Sequence, residues 1–231
     1  MTTPDNTTPH SVSEYDQKVR QTIPFYETMH QETINLVRTV KPDTDLWLDT
    51  GCGTGYLIEL ALPRFPDTHF ILADPSPAML AQAEKRLDRV GRERVEMLPP
   101  VASEGLASQI GQTKCQVVTA VQSHHYLLPP QREQAIRACF DILEDDGLFI
   151  TFENVRPPSE RGIEIGLDRW GRFQREAGRS VPVVAAHRER FGTAYFPITV
   201  DDHLELLRLV GFQTAELFWF SHMQAGFYAI K

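Results

Sequence analysis

The stretch Leu48-Asp49-Thr50-Gly51-Cys52-Gly53-Thr54-Gly55 decides how this chain is read. The apolar run Leu46-Trp47-Leu48 leads into it. An amphipathic run from Tyr56 to Leu62, stopped by Pro63, leads out. That order is strand, tight turn, helix. Glycine permits positive φ and lets a ligand approach the backbone closely. The start of the next helix offers free N–H groups and a partial positive charge. A negatively charged or hydroxyl-rich ligand fits such a turn.

Two ligand classes use this geometry. The dinucleotide fingerprint is Gly-x-Gly-x-x-Gly. Here the third glycine of that pattern is replaced by Tyr56, which disfavours a nicotinamide dehydrogenase. The strand also ends in an acid, Asp49, which suits a ligand bearing an ammonium or hydroxyl groups. A second acid, Asp74, closes the next apolar run, Phe70-Ile71-Leu72-Ala73. In doubly wound sheets an acid there accepts hydrogen bonds from ribose hydroxyls. The bland reading is a tight strand–helix turn with a capping aspartate, and the register of strand, helix and second acid together argues against it.

Outward from this stretch the pattern alternates. A helix is expected over Pro77 to Val90, with proline in its first turn and Gly91 at its end. Weak strand character follows at Val95 to Leu98, then a strand at Val117 to Val121 and a helix near Gln131 to Leu143. The turn Asp145-Asp146-Gly147 precedes a fifth strand, Leu148 to Phe152. The end reads as a helix (Asp201 to Val210), Gly211, and two strands, Ala215 to Phe220 and Ala225 to Ile230, forming an antiparallel edge hairpin. Alternating strands and helices imply crossover units and a mostly parallel sheet with helices on both faces. The fold class is therefore α/β: a doubly wound, mostly parallel seven-stranded sheet. Two regions stand outside the alternation. Residues 12–43 form a helical lead-in broken near Pro24, and 157–196 a charged helical insertion after the fifth strand. Residues 1–11 read as a disordered tail, and 12–231 as one domain.

A chain of 231 residues with 42% hydrophobic and 23% charged residues can bury a full core. No apolar run reaches the roughly 18–20 residues that span a membrane. Met1 to Pro9 lacks the basic-then-apolar order of a secretion signal. The net charge of −8 disfavours general nucleic-acid binding. The local strip Arg156, Arg161, Arg169, Arg172, Arg175 and Arg179 alternates with Glu160, Glu164 and Glu176, as on a solvated helix face. Cys52, Cys115 and Cys139 are too far apart for a disulfide framework or zinc site, so no metal is expected and a reducing cytoplasm suits the chain.

At this point the residues resemble a known family. Leu48 to Gly55 looks like motif I of class I S-adenosylmethionine (SAM) dependent methyltransferases. Ala73-Asp74-Pro75-Ser76-Pro77-Ala78-Met79-Leu80 looks like its second motif, and Glu144 to Leu148 and Arg208 to Phe212 resemble later landmarks. Ile23-Pro24-Phe25-Tyr26, the insertion and the aromatic carboxyl end (Leu217 to Phe220, Ala225 to Tyr228) are similar to the subgroup that includes carboxy-SAM synthase and its methyltransferase relatives. The resemblance implies SAM as cofactor, held by Asp49, Gly51, Cys52, Gly53, Gly55, Asp74, Pro75, Met79, Val121 and Tyr26. Many members carry an acid after the third strand, and here Leu98-Pro99-Pro100-Val101-Ala102-Ser103-Glu104 has none in the usual place, so adenine is expected to use backbone N–H groups near Val101 and Ala102. A carboxy-SAM synthase is also expected to carry an Asn at the end of the fourth strand, where this chain has Val121, and an Arg in the insertion, which Arg188 or Arg190 supplies.

Methyl displacement from a sulfonium needs positioning more than a catalytic triad. The candidates for proton transfer are His124, His125 and Glu153. The two histidines follow the fourth strand, where histidine's near-neutral pKa is useful. Their structural alternative is to cap the following helix or pack under the cofactor. Tyr15 and Tyr26 lie on the lead-in helices, which fold as a lid in similar proteins. Tyr15, Arg188, Arg190, Tyr195 and His222 are the substrate-binding candidates, each also readable as packing or surface. The enclosed pocket implied by lid and insertion favours a small-molecule acceptor. The subgroup and the aromatic end suggest a homodimer. Two alternatives stay open: a carboxy-SAM synthase-like enzyme, which needs prephenate, and a SAM-binding regulatory or scaffold protein without turnover.

Overall fold

Trp47 and Leu48 are adjacent in sequence and fully buried in different cores. Successive side chains of a strand point to opposite faces, so this strand is covered on both sides. That is why the apolar runs lack polar alternation. The computed structural model describes residue 8 and residues 10–231. Its seven strands are β1 (Leu46–Thr50), β2 (His69–Ala73), β3 (Val95–Met97), β4 (Cys115–Val121), β5 (Leu143–Asn154), β6 (Thr214–Ser221) and β7 (Gln224–Ile230). They form one sheet in the order β3-β2-β1-β4-β5-β7-β6. β1 to β5 are parallel, and β7 runs antiparallel between β5 and β6. The order reverses between β1 and β4, so a crevice opens at their carboxyl ends.

The helices divide between the two faces. α1 (Tyr15–Thr22), α2 (Tyr26–Val40), α3 (Tyr56–Ala61) and α4 (Pro77–Leu87) lie with the core of Trp47, Phe70, Val117 and Phe152. A short α5 (Ala107–Ile110) precedes β4, and α6 (Pro129–Ile142) follows it. α7 (Glu160–Glu176) and α8 (Val181–Glu189) form the insertion, and α9 (Val200–Val210) leads to the final hairpin. α6 and α9 bury Ile136, Cys139, Leu207 and Val210 with Leu48 and Phe149 on the other face. Among the described residues no helix is long and apolar enough to cross a membrane.

The local chemistry sets the boundaries. Ser76 caps α4 by accepting the Met79 N–H at 3.2 Å, with Pro77 in the first turn. Thr199 and Asp202 form a reciprocal box at the start of α9, each bond 3.1 Å. Pro24 breaks the lead-in: Ile23 is extended and Phe25 takes a left-handed φ of 56° before α2 begins. One expectation needs correction. β5 does not start at Leu148 but at Leu143, and the turn Asp145-Asp146-Gly147 sits inside it. Cys115 pairs with Leu143 and Val117 with Leu148, so the strand bulges outward between them. The helix expected to reach Val90 ends at Leu87.

The tail expected over residues 1–11 falls mostly outside the described residues. Of its members, His10 is buried and shares a 2.9 Å hydrogen bond with the Thr22 hydroxyl. α1 is tied to the insertion as well: the Trp170 indole donates to the Thr22 carbonyl at 2.6 Å, and Arg179 to the Thr22 hydroxyl at 3.0 Å. The expected solvated strip holds at Arg156–Glu160 and Arg161–Glu164, which are exposed pairs. Arg179 leaves it and turns inward.

Candidate functional site

The turn after β1 is built by backbone geometry. Gly51 and Gly53 both take left-handed φ, 64° and 55°. At Gly51 a Cβ would lie 2.4 Å from the Ser123 Cβ, so only glycine lets the β1 and β4 ends approach. At Gly53 a Cβ would meet nothing within 4 Å, so the turn faces open space there. The Cys52 N–H donates to the Ala73 carbonyl at 3.0 Å, which ties the turn to the end of β2. Asp74 completes that tie. Its carboxylate accepts the Gly53 N–H at 2.9 Å and the Ser76 N–H at 2.8 Å. Burial nonetheless raises its pKa, the two N–H groups pulling the other way.

The open space is a cleft of about 460 Å³. Gly51, Gly53, Asp74 and Val121 form one wall, with Pro75 and Met79 beside them. Ala102 and Ser103 also line the cleft. Ser103 is held by hydrogen bonds to the Thr50 hydroxyl (2.8 Å) and His124 Nε2 (2.9 Å). A smaller cavity of about 20 Å³ lies behind the turn, lined by Asp49, Cys52, Tyr26 and Tyr56. Burial raises the Asp49 pKa to about 7, although the Thr119 hydroxyl donates to it at 2.6 Å; nearby Asp74 adds to the rise. Tyr26 stacks on Tyr56 at 5.8 Å, and Arg20 lies over the Tyr56 ring at 4.9 Å. This corner is therefore a buried acid with aromatic walls, suited to a cationic group.

A third cavity, of about 30 Å³, opens between α1, the end of β4 and the insertion. Tyr15, Gln122, Tyr126, Asn154, Arg190 and Tyr195 are among its lining residues. Asp16 on α1 holds this side against the turn by accepting the Thr54 hydroxyl at 2.7 Å and pairing with Arg86, which also contacts Glu59.

The structure brings most of the expected residues together. Asp49, Gly51, Cys52, Gly53, Asp74, Pro75, Met79, Ala102, Val121 and Tyr26 all line the cleft or the cavity behind the turn. Tyr15, Arg190 and Tyr195 line the third cavity. Several do not meet the site. Gly55 packs its backbone against Ala83 instead. Val101 donates its N–H to the Asp74 carbonyl at 3.2 Å, so that N–H is engaged before any ligand arrives. Arg188 points outward to Asp168 at 2.5 Å. His222 stands among Phe25 and Phe173, away from the three cavities.

The proton-transfer candidates separate. His124 lines the cleft, but burial lowers its pKa and its Nε2 is engaged with Ser103. His125 and Glu153 are 1% and 0% exposed and line none of the cavities. Glu153 accepts the His124 and His125 N–H groups (3.2 and 2.8 Å), the Thr151 hydroxyl (2.6 Å) and the His125 ring (2.8 Å). Burial alone would raise the carboxyl; the His125 hydrogen bond and charge outweigh it and hold it at about 2. A carboxylate cannot donate, so His125 Nδ1 carries the proton. The pair clamps the turn after β4.

Sequence reasoning missed Ser103 and His10 as lining residues; Gln122 and Tyr126 belong to the run after the fourth strand, expected on the pocket rim. Glu104, the last residue of the stretch after the third strand, lines the cleft although it does not stand in the usual place for an adenine-binding acid. The left-handed φ of 56° at Gln122 had no signal in the sequence.

Comparison with known proteins fits this geometry. A methyltransferase domain family matches residues 48–149, from the glycine turn into β5. The carboxy-S-adenosyl-L-methionine synthase of Nautilia profundicola is 26% identical over 220 residues, covering 95% of this chain and 91% of its own. That of Trichodesmium erythraeum is 25% identical, covering 95% and 86%. Among solved structures, a candidate O-methyltransferase from Nostoc punctiforme has a TM-score of 0.69 at 15% identity, covering 95% of this chain and 60% of that protein. Human N-acetylserotonin methyltransferase, solved with SAM, has a TM-score of 0.56 at 11% identity, covering 95% and 58%. The chain thus spans about three fifths of these two structures, and shares their fold.

Proposed function

We propose that this chain, a class I SAM-dependent methyltransferase with a carboxy-SAM synthase-like pattern, methylates a small-molecule acceptor held beside the cleft. The observation that carries this reading is the pairing of two acids across one glycine turn, Asp74 on the cleft and Asp49 on the cavity behind it. The residues present fit SAM: Gly53 leaves a gap that a Cβ would fill, Asp74 suits ribose hydroxyls, and Asp49 between Tyr26 and Tyr56 suits an ammonium. Glu104 and Ala102, also in the lining of the cleft, suit an adenine edge. Bound there, SAM supplies an electrophilic methyl group. The chain's own residues then orient and enclose: α1 and α2 act as the lid, latched by Asp16 to Thr54, and α7–α8 act as the substrate cover. Exclusion of water and alignment account for most of the rate such an enzyme needs.

A second reading is favoured by the names of the curated relatives, which are carboxy-SAM synthases. Val121 and the outward Arg188 oppose it, and Arg190 on the third cavity supports it. Calorimetric titration with SAM, S-adenosylhomocysteine and NAD tests the first step. Binding of both sulfur ligands and not NAD is expected; no binding of either sulfur ligand sinks the enzyme reading. Incubation with SAM and prephenate, read by mass, separates the two activities. Three buried free cysteines support a reducing cytoplasm, and the exposed rings of Phe25 and Phe220 support a homodimer, which light scattering tests.

A further inference from the structure

Two residues, Tyr15 and Gln122, line all three cavities described above, and among the described residues no others do. On the reading of the cleft given above, which this inference rests on, their junction is where the transferable methyl group meets the acceptor. Gln122 is held there at a cost. It adopts φ 56°, a conformation that non-glycine residues take mainly where the surroundings enforce it. Its backbone N–H is fixed to the Phe152 carbonyl at 2.7 Å. Its side-chain Nε2 is buried and has no hydrogen-bond partner among the described residues. A buried N–H left unpaired is costly, so a strained residue presenting one implies a ligand atom that accepts it.

The rest of the third cavity asks for the same kind of atom. The Tyr195 hydroxyl is also buried, with no hydrogen-bond partner among the described residues. Arg190 is also in the lining, and among the described residues no Asp or Glu lines the cavity. The two histidines there are poor bases. Burial, with Arg179 next, lowers the pKa to about 4 at His10 and about 3 at His187. Burial raises the pKa of Tyr15, Tyr126 and Tyr195, so all three remain donors at neutral pH. An acceptor that must lose a proton finds no good base here among the described residues. One that arrives as an anion has none to lose.

We infer that the acceptor presents an oxyanion, a carboxylate or phenolate, to the Gln122 side-chain N–H at the junction of the three cavities. The cavity of about 30 Å³ admits only the reactive end of such a molecule, roughly the volume of one water. Gln122 is in this sense the residue that selects the acceptor, and Tyr195 and Arg190 support the selection.

The test uses the full chain, ¹⁵N-labelled and saturated with S-adenosylhomocysteine. The Gln122 side-chain resonance is identified by its loss in Gln122→Leu. Acetate, 4-nitrophenolate and ethylammonium are then titrated separately. A saturable shift of that resonance with acetate or nitrophenolate, and none with ethylammonium, is expected; which anion binds distinguishes carboxylate from phenolate. In Gln122→Leu, kept saturated with S-adenosylhomocysteine, the affinity for the bound anion should fall at least fivefold. Gln122→Asn, which tolerates the left-handed backbone and retracts the amide, should behave likewise if the Leu variant does not fold. No shift with either anion, an equal shift with ethylammonium, or undiminished anion affinity in the folded variant overturns the inference. If the wild type fails to bind S-adenosylhomocysteine, the methyltransferase reading itself falls and takes this inference with it.

Discussion

The Asp74 carboxylate accepts the Gly53 N–H at 2.9 Å, so the acid that ends β2 holds the turn that follows β1. It also accepts the Ser76 N–H at the start of α4. A carboxylate has about four lone-pair sites, so both bonds leave capacity for ribose hydroxyls. Asp74→Ala should weaken SAM binding by about 1–3 kcal/mol, roughly one to two orders of magnitude in Kd. Asp74→Asn keeps one acceptor oxygen and should lose less. Calorimetry on both variants decides: an unchanged Kd for Asp74→Ala would remove the ribose assignment.

Gly51 and Gly53 should respond differently to substitution. Both sit at positive φ, which costs an L-residue about 1–2 kcal/mol. At Gly53 the added atoms enter space that the protein leaves open. Gly53→Val should therefore fold, with a modest loss of Tm, and lose SAM binding. At Gly51 even a methyl group collides with Ser123. Gly51→Ala should lose more stability than Gly53→Val although it adds fewer atoms. Melting curves and titrations of the pair check this; a Gly53→Val variant with normal affinity would take the turn out of the site.

The parts of the molecule that a reader could see in the chain are those where local chemistry has one solution. Gly51 and Gly53 are needed by the backbone itself, and Asp74 follows from the parallel register of β1 and β2, Thr50 opposite Ala73. The two-sided burial of Trp47 and Leu48 is written in an unbroken apolar run. Other features depend on where distant segments dock. Glu104 lines the cleft from the loop after β3, and Arg190, just past the end of α8, lines a cavity while Arg188 pairs with Asp168. Gln122 looks like an ordinary polar residue after a strand. The bulge in β5 is invisible because Leu143 pairs with β4 before the turn that precedes Leu148.

Asp49 makes binding of an ammonium pH-dependent. Burial lifts its pKa to about 7, so near neutrality a large share of the ligand-free protein carries a neutral carboxyl there. An ammonium is held by the ionised form. Affinity for S-adenosylhomocysteine should therefore rise as pH increases from 5.5 to 7.5, by up to about tenfold per pH unit on the acid side. Asp49→Asn keeps the size, cannot ionise, and should bind more weakly with a flat profile. Titrations at several pH values test this, and an equally steep profile in the variant would place the titrating group elsewhere.

Glu153 acts on stability. It accepts four hydrogen bonds at the start of the turn that carries His124 and His125, and it is fully buried. Its folded pKa, about 2, lies below the ordinary 4.5 because the His125 contact outweighs burial. The unfolded state therefore takes up the proton first as pH falls. The stability that the ionised group contributes is fully present above about pH 4.5 and is lost progressively toward pH 2. Glu153→Gln sets an amide N–H₂ against groups that are themselves donors, and breaking such a buried pair should cost about 3–5 kcal/mol at pH 7. The gap between wild type and variant should then narrow as pH drops from 5 to 3, read by urea unfolding at each pH. A constant gap would mean that the carboxylate's charge contributes nothing. S-adenosylhomocysteine affinity in the folded variant gives the second readout. It should stay near the wild-type value, because Glu153 lines none of the three cavities.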